Sequence, residues 1–104
     1  MNARLSDPYR TVAVLDVASY LENSNSLRGN TYKITGTILN SLGWAPNTGR
    51  LFSVEVGIDS TSCVLPVFIP TQFGSVNVQK GQRFFFKVKV DENGILKVED
   101  LQKV

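Results

Sequence analysis

The chain has 104 residues, of which 42% are hydrophobic and 19% charged, with a formal net charge of +2. That suffices for one domain burying roughly 65% of its unfolded surface. It is too apolar for disorder, and no apolar run approaches the ~18 residues of a membrane-spanning helix. The lack of histidine and the single cysteine exclude an intramolecular disulfide, a structural zinc site and the commonest general base.

Residues 1–10 read as an N-terminal arm, polar and without the hydrophobic core of a signal peptide. A cytoplasmic location is the expectation, with a removed leader as the alternative. Residues 11–104 form the single expected domain. Val14, Val17, Ala18 and Leu21 recur at the spacing of one helical face, which predicts a helix over about 12–22 with Thr11 as N-cap. A strand over 11–15 followed by a helix capped by Asp16 competes with that reading. Residues 23–30 carry turn chemistry, including Gly29.

The stretch 32–42 places Tyr32, Ile34 and Ile38 on one parity and Lys33, Thr35 and Thr37 on the other, which predicts a half-buried strand over 31–40. Gly36 interrupts it, as at a bulge, a sharp bend or a close approach of another backbone. A loop over 41–50 with Gly43, Trp44, Pro46 and Gly49 leads to a second strand, 51–58. There Phe52, Val54, Val56 and Ile58 alternate with Ser53, Glu55 and Gly57. Residues 59–62 turn the chain into a third strand, 63–69, apolar almost throughout, and therefore either covered on both faces or partly exposed for binding. Cys63 opens it and is expected to be a buried, inert thiol. Pro66 lacks an N–H and is expected at a bulge or an unpaired edge. Residues 70–81 break the alternation, with Phe73 and Val76 placed to plug the core. In the fourth strand, 82–90, Phe84, Phe86, Val88 and Val90 face one way and Arg83, Phe85, Lys87 and Lys89 the other. Residues 91–94 form a hairpin turn with Asn93-Gly94 at its centre, and a fifth strand over 95–101 closes the sheet.

A bent first strand with an internal glycine, a long first loop and a break before the fourth strand together resemble the OB-fold. The segment from Arg28 to Ile38 is similar to the opening strand of small bacterial OB domains, and Lys80-Gly81-Gln82 to their approach to strand four. The resemblance covers 28–102. It implies a mainly all-β, five-stranded OB-like Greek-key barrel, about 30–102, with the N-terminal helix capping one open end. It also implies binding on the outer face of strands two and three, framed by the loops between strands one and two and between four and five. Carried onto this chain, that face comprises Leu51, Ser53, Glu55, Val64 and Phe68, with Trp44 and Arg50 in the loop.

Single-stranded nucleic acid needs aromatic platforms and cations along the backbone. Trp44, Phe68 and Phe85 are the candidate stacking surfaces, and Arg50, Lys87 and Lys89 the candidate phosphate contacts. For Trp44 a hydrophobic lid folded over the barrel is the simpler reading. Glu55 at mid-face would repel a polyanion. The Arg83, Phe85, Lys87, Lys89 stripe also fits a solvated strand face, with Phe85 under the helix and the lysines guarding a sheet edge. The expectation is a non-enzymatic binding module, with no cofactor and no metal, for single-stranded DNA or RNA. The alternatives are a protein-interaction or homodimer domain using Val64, Pro66 and Phe68, and an extracytoplasmic domain that binds a small ligand or sugar. Asp59, Asp91, Glu92, Glu99 and Asp100 fall in or near turns, where solvation is the simpler role than acid–base work.

Overall fold

The structure, a computed structural model, describes residues 9–45, 48–58 and 61–104, without the side chains of Trp44, Ala45 and Ile58. Most of the expected arm, the centre of the first loop and Asp59-Ser60 of the 59–62 turn lie outside the described residues. Five strands are formed: β1, Thr31–Ala45; β2, Gly49–Ile58; β3, Thr61–Pro70; β4, Arg83–Val90; and β5, Leu96–Lys103. They close into a barrel in the order β1-β2-β3-β5-β4. One short α-helix, α1, Val17–Glu22, precedes them.

β1 is the shared strand. Its first half, from Thr31 to Thr37, pairs antiparallel with β4, and from Gly36 onward it pairs antiparallel with β2. Gly36 belongs to both ladders, partnered by Val56 and by Phe84. A Cβ at this position would collide with the Val54 side chain and lie 2.8 Å from the Glu55 carbonyl oxygen. The glycine therefore marks a close approach of backbones. The bulges come later, where Leu39 and Leu42 are the extra residues in the register and turn β1 around the barrel.

Closure comes from the parallel contact between β3 and β5, Val67 opposite Leu96 and Phe68 opposite Lys97. The β2–β3 register runs through Pro66 without a bulge, opposite Ser53. On its other side, β3 meets β5 only from Val67 onward, so Pro66 lies at the unpaired edge where its missing N–H is tolerated.

Strict alternation fills the interior. Ile34 and Ile38, Phe52, Val54 and Val56, Leu65, Val67 and Ile69, Phe84, Phe86, Val88 and Val90, and Leu96 and Val98 are buried together. Phe84 and Phe86 stack side by side with ring centroids 5.6 Å apart. One end is plugged by the connection to β4: a 3₁₀ turn over Thr71–Phe73 is followed by buried Val78, with Phe73 and Val76 half-buried against the core.

The other end is covered by the N-terminal segment, in the competing arrangement of strand contact followed by helix rather than a helix from residue 12. Leu15 N donates to Lys33 O at 3.1 Å, and Lys33 N to Ala13 O at 2.8 Å. The helix starts only at Val17, and its N-cap is Asp16, not Thr11, with Oδ1 accepting from Ser19 N at 3.3 Å. The spacing that suggested a longer helix is not the buried face: Val14 and Leu21 are 68% and 58% exposed, whereas Leu15, Val17 and Tyr20 enter the core. Tyr20 then ties the helix to the barrel by donating its hydroxyl to Gly94 O at 2.6 Å.

Two smaller expectations also change. Cys63 is half-buried rather than enclosed. In the hairpin turn the organiser is Asp91, whose Oδ1 accepts from Asn93 N at 2.8 Å and Ile95 N at 2.9 Å, while Gly94 N bonds Asp91 O at 3.0 Å. The turn centre is thus Glu92-Asn93, with Gly94 following at φ 78°.

Two outcomes are expected. Gly36→Ala destabilises the protein by about 1–3 kcal/mol in urea titrations, because β1 and β2 must part to admit a methyl group. The hydrogen bonds from Ser19, first the hydroxyl and then the amide, hold the Asp16 carboxyl below its ordinary value. Its cap therefore stabilises above the usual carboxylate range and fades as pH falls through the lowered value. Asp16→Ala should lower the melting temperature at neutral pH, with the difference shrinking in acid.

Candidate functional site

The outer face of β2 and β3 is built by the residues that alternate with the core. Leu51 pairs with Phe68, Ser53 with Pro66 and Glu55 with Val64. Leu42, extruded by its bulge, adds to this side next to the Gly43–Leu51 pair. Val64 and Leu42 are 53% and 55% exposed, and Leu51, Pro66 and Phe68 are half-buried. Phe68 is held in place by a gap in the neighbouring strand. Gly49, at φ 142°, would place a Cβ 2.9 Å from Phe68 Cζ, so the ring lies across the bare glycine.

Ser53 and Arg50 do not offer themselves to a ligand on this face. Ser53 is buried, and its hydroxyl accepts from Asn40 N at 3.1 Å, bracing the β1 bulge. Arg50 is a β2 residue rather than a loop residue, and it shares the parity of Phe52, Val54 and Val56. Its guanidinium carbon sits 5.4 Å from the centre of the Phe52 ring, in cation–π contact. Nη2 is buried and has no hydrogen-bond partner among the described residues. Trp44 lies at the end of β1 with its backbone opposite Arg50; its side chain is outside the described residues. Among the described residues, the charge that β2 and β3 themselves present on the outer face is Glu55, whose Oε2 accepts from Ser62 Oγ at 3.0 Å, and Lys97 of β5 stands opposite Phe68 at its border.

Phe85, Lys87 and Lys89 lie on β4, separated from the β2–β3 face by β5, whose Lys97 pairs with Phe68 on one side and Lys89 on the other. β4 is paired on both sides, by β1 and β5, so its lysines guard no edge. Phe85 is half-buried between Thr35 and Gln102, near the start of β4, while α1 is fixed by Tyr20 near the far end of that strand. Lys87 stands in a row with Lys33 and Asp100, and Lys89 in a row with Thr31 and Lys97. Tyr9 reaches the Asp100 end of the first row. Burial, and then the Asp100 carboxylate, push its hydroxyl far above the ordinary tyrosine value.

Beside the second row, a cleft of about 790 Å³ is lined by Arg28, Lys89, Lys97, Gln72, Asp91, Glu92 and Glu99, among others. Lys97 and Arg28 were not singled out from the sequence. For Lys97 the signal was present: counting outward from the 91–95 turn sets Lys89 against Lys97. Among the described residues no group of three histidine, cysteine, aspartate or glutamate side chains converges to hold a metal ion. No described helix is long and apolar enough to cross a membrane.

Compared with known protein families and with curated proteins, the chain matches no family model and no curated relative. The functional argument therefore rests on the two faces themselves.

The position of Arg50 can be tested by stability alone. An unpaired buried donor costs about 1–3 kcal/mol and the contact with Phe52 returns about 0.5–1 kcal/mol. Arg50→Met, which keeps the packing and removes the charge, should stay within about 1 kcal/mol of wild type or gain. Arg50→Ala, which also uncovers Phe52, should unfold at lower urea.

Proposed function

We propose that this protein is a non-enzymatic OB-like binding module whose β2–β3 face docks a protein partner. The OB reading is supported by the strand order β1-β2-β3-β5-β4, the shared and bent first strand, and the capped ends. The observation that carries the choice of partner is the inward turn of Arg50. It leaves Leu42, Leu51, Val64, Pro66 and Phe68 as an apolar strip bordered by one carboxylate, Glu55, and by Lys97, which stands opposite Phe68 on β5.

A single-stranded nucleic acid on this face would find an aromatic surface at Phe68 and a cation at its β5 neighbour Lys97, but no outward cation on β2 or β3 among the described residues, and Glu55 would repel it. A protein partner suits the same surface. Apolar residues at the centre of a patch with polar groups around it are what protein interfaces bury, and an aromatic ring fixed in advance contributes contact at little entropic cost.

The test pairs two variants with two readouts. Phe68→Glu and Val64→Glu both point outward and should leave the fold intact by circular dichroism. In size-exclusion chromatography with light scattering, and in cross-linking within cells followed by identification of the adducts, each should abolish the specific complex that wild type forms. A wild type that is monomeric at all concentrations and yields the same adducts as Phe68→Glu would overturn the proposal. So would salt-sensitive oligonucleotide binding that either variant destroys.

A further inference from the structure

Continuing the row of Phe68 onto β5 and β4, Lys97 and Lys89 stand directly opposite each other on adjacent strands. Like charges facing across a ladder destabilise the pair unless something lies between them. Neither ammonium group has an ion pair among the described residues. A third cation, Arg28, borders the same cleft. It is held there by Nη1 donating to Glu92 O at 3.4 Å, while Gly29 N donates to Val90 O at 2.8 Å and fixes its backbone.

The cleft also carries three carboxylates, and two of them are already engaged. Asp91 accepts the two amide hydrogen bonds that shape the hairpin turn. Glu99, the extra residue of the β5 bulge, accepts from the Thr31 hydroxyl at 3.3 Å. Glu92 is exposed on the turn at the margin. Three cations and three carboxylates thus line a cleft of about 790 Å³, within the range of small-ligand sites, with Pro70 and Gln72 on the β3 side.

We infer that this cleft binds a phosphate group through Lys89, Lys97 and Arg28. A phosphate suits the set because its several oxygens can accept from two ammonium groups and a guanidinium at once. The anion would relieve the Lys89–Lys97 repulsion that the ladder otherwise retains. The phosphate comes either from a free phosphorylated molecule or from the backbone of a single strand.

Binding of inorganic tripolyphosphate, followed by titration calorimetry and by amide shifts in nuclear magnetic resonance, tests this at low salt. Saturable binding is expected, with the largest shifts at Arg28, Lys89 and Lys97. Lys89→Gln and Lys97→Gln should each weaken it about tenfold, and Glu92→Gln should tighten it. Lys103→Gln, on the same strand but outside the cleft, should leave it unchanged. Parallel titrations with ADP and with a ten-residue oligothymidylate separate the sources: tighter ADP binding confined to the cleft supports a free phosphorylated ligand. Tighter oligonucleotide binding with shifts extending to Lys87 and Phe85 supports a backbone phosphate. Absence of saturable binding, or equal weakening by Lys89→Gln, Lys97→Gln and Lys103→Gln, would overturn the inference, because a bulk charge effect does not distinguish these positions.

Discussion

The structure depends on one close approach, that of the β2 backbone to Gly36. At this residue β1 passes from pairing with β4 to pairing with β2, and both ladders are satisfied only because no side chain stands between them. The two bulges at Leu39 and Leu42 continue the turn, so that one strand can serve both sides of a closed barrel. Backbone hydrogen bonding then leaves few open edges, and the interior can be filled by alternate residues of all five strands.

The same alternation separates the outer surface into two chemistries. On β2 and β3 the outward positions are mostly apolar, and the cation of β2, Arg50, has the inward parity. On β1, β4 and β5 the outward positions include Lys33, Lys87, Lys89 and Lys97. The two chemistries meet where Phe68 pairs with Lys97 and Lys97 with Lys89, so the aromatic end of the apolar strip borders the cationic row.

The N-terminal segment joins these surfaces to the end of the barrel. It extends the sheet beside Lys33, turns at Asp16 into the short helix, and returns a hydroxyl from Tyr20 to Gly94 at the β4–β5 turn. Burial, and then the charge of Asp91, raise the Tyr20 hydroxyl above its ordinary value, which keeps it a neutral donor. Residues 91–94 thereby connect the helix to the cleft that Asp91 and Glu92 border. Because a helix of 6 residues is marginal in isolation, these tertiary ties rather than propensity hold it in place.

The five strands, the inward sets such as Phe84, Phe86, Val88 and Val90, and Gly36 as a special position in the first strand were legible in the sequence. A two-residue period and a glycine inside it are local properties of the chain, present whatever the strand later meets. The start of the helix was not legible, because Val14, Val17, Ala18 and Leu21 satisfy a helical period while the barrel end instead receives Leu15, Val17 and Tyr20. The surroundings of Arg50, Ser53 and Lys97 were likewise set by partners distant in sequence: the register across β1 and β2, the bulge beside Asn40, and the pairing of β4 with β5. Side-chain alternation along each strand was thus determined by the sequence itself. Which outward residues share a face was decided by closure of the barrel, because register between strands depends on long-range contacts that no local pattern contains.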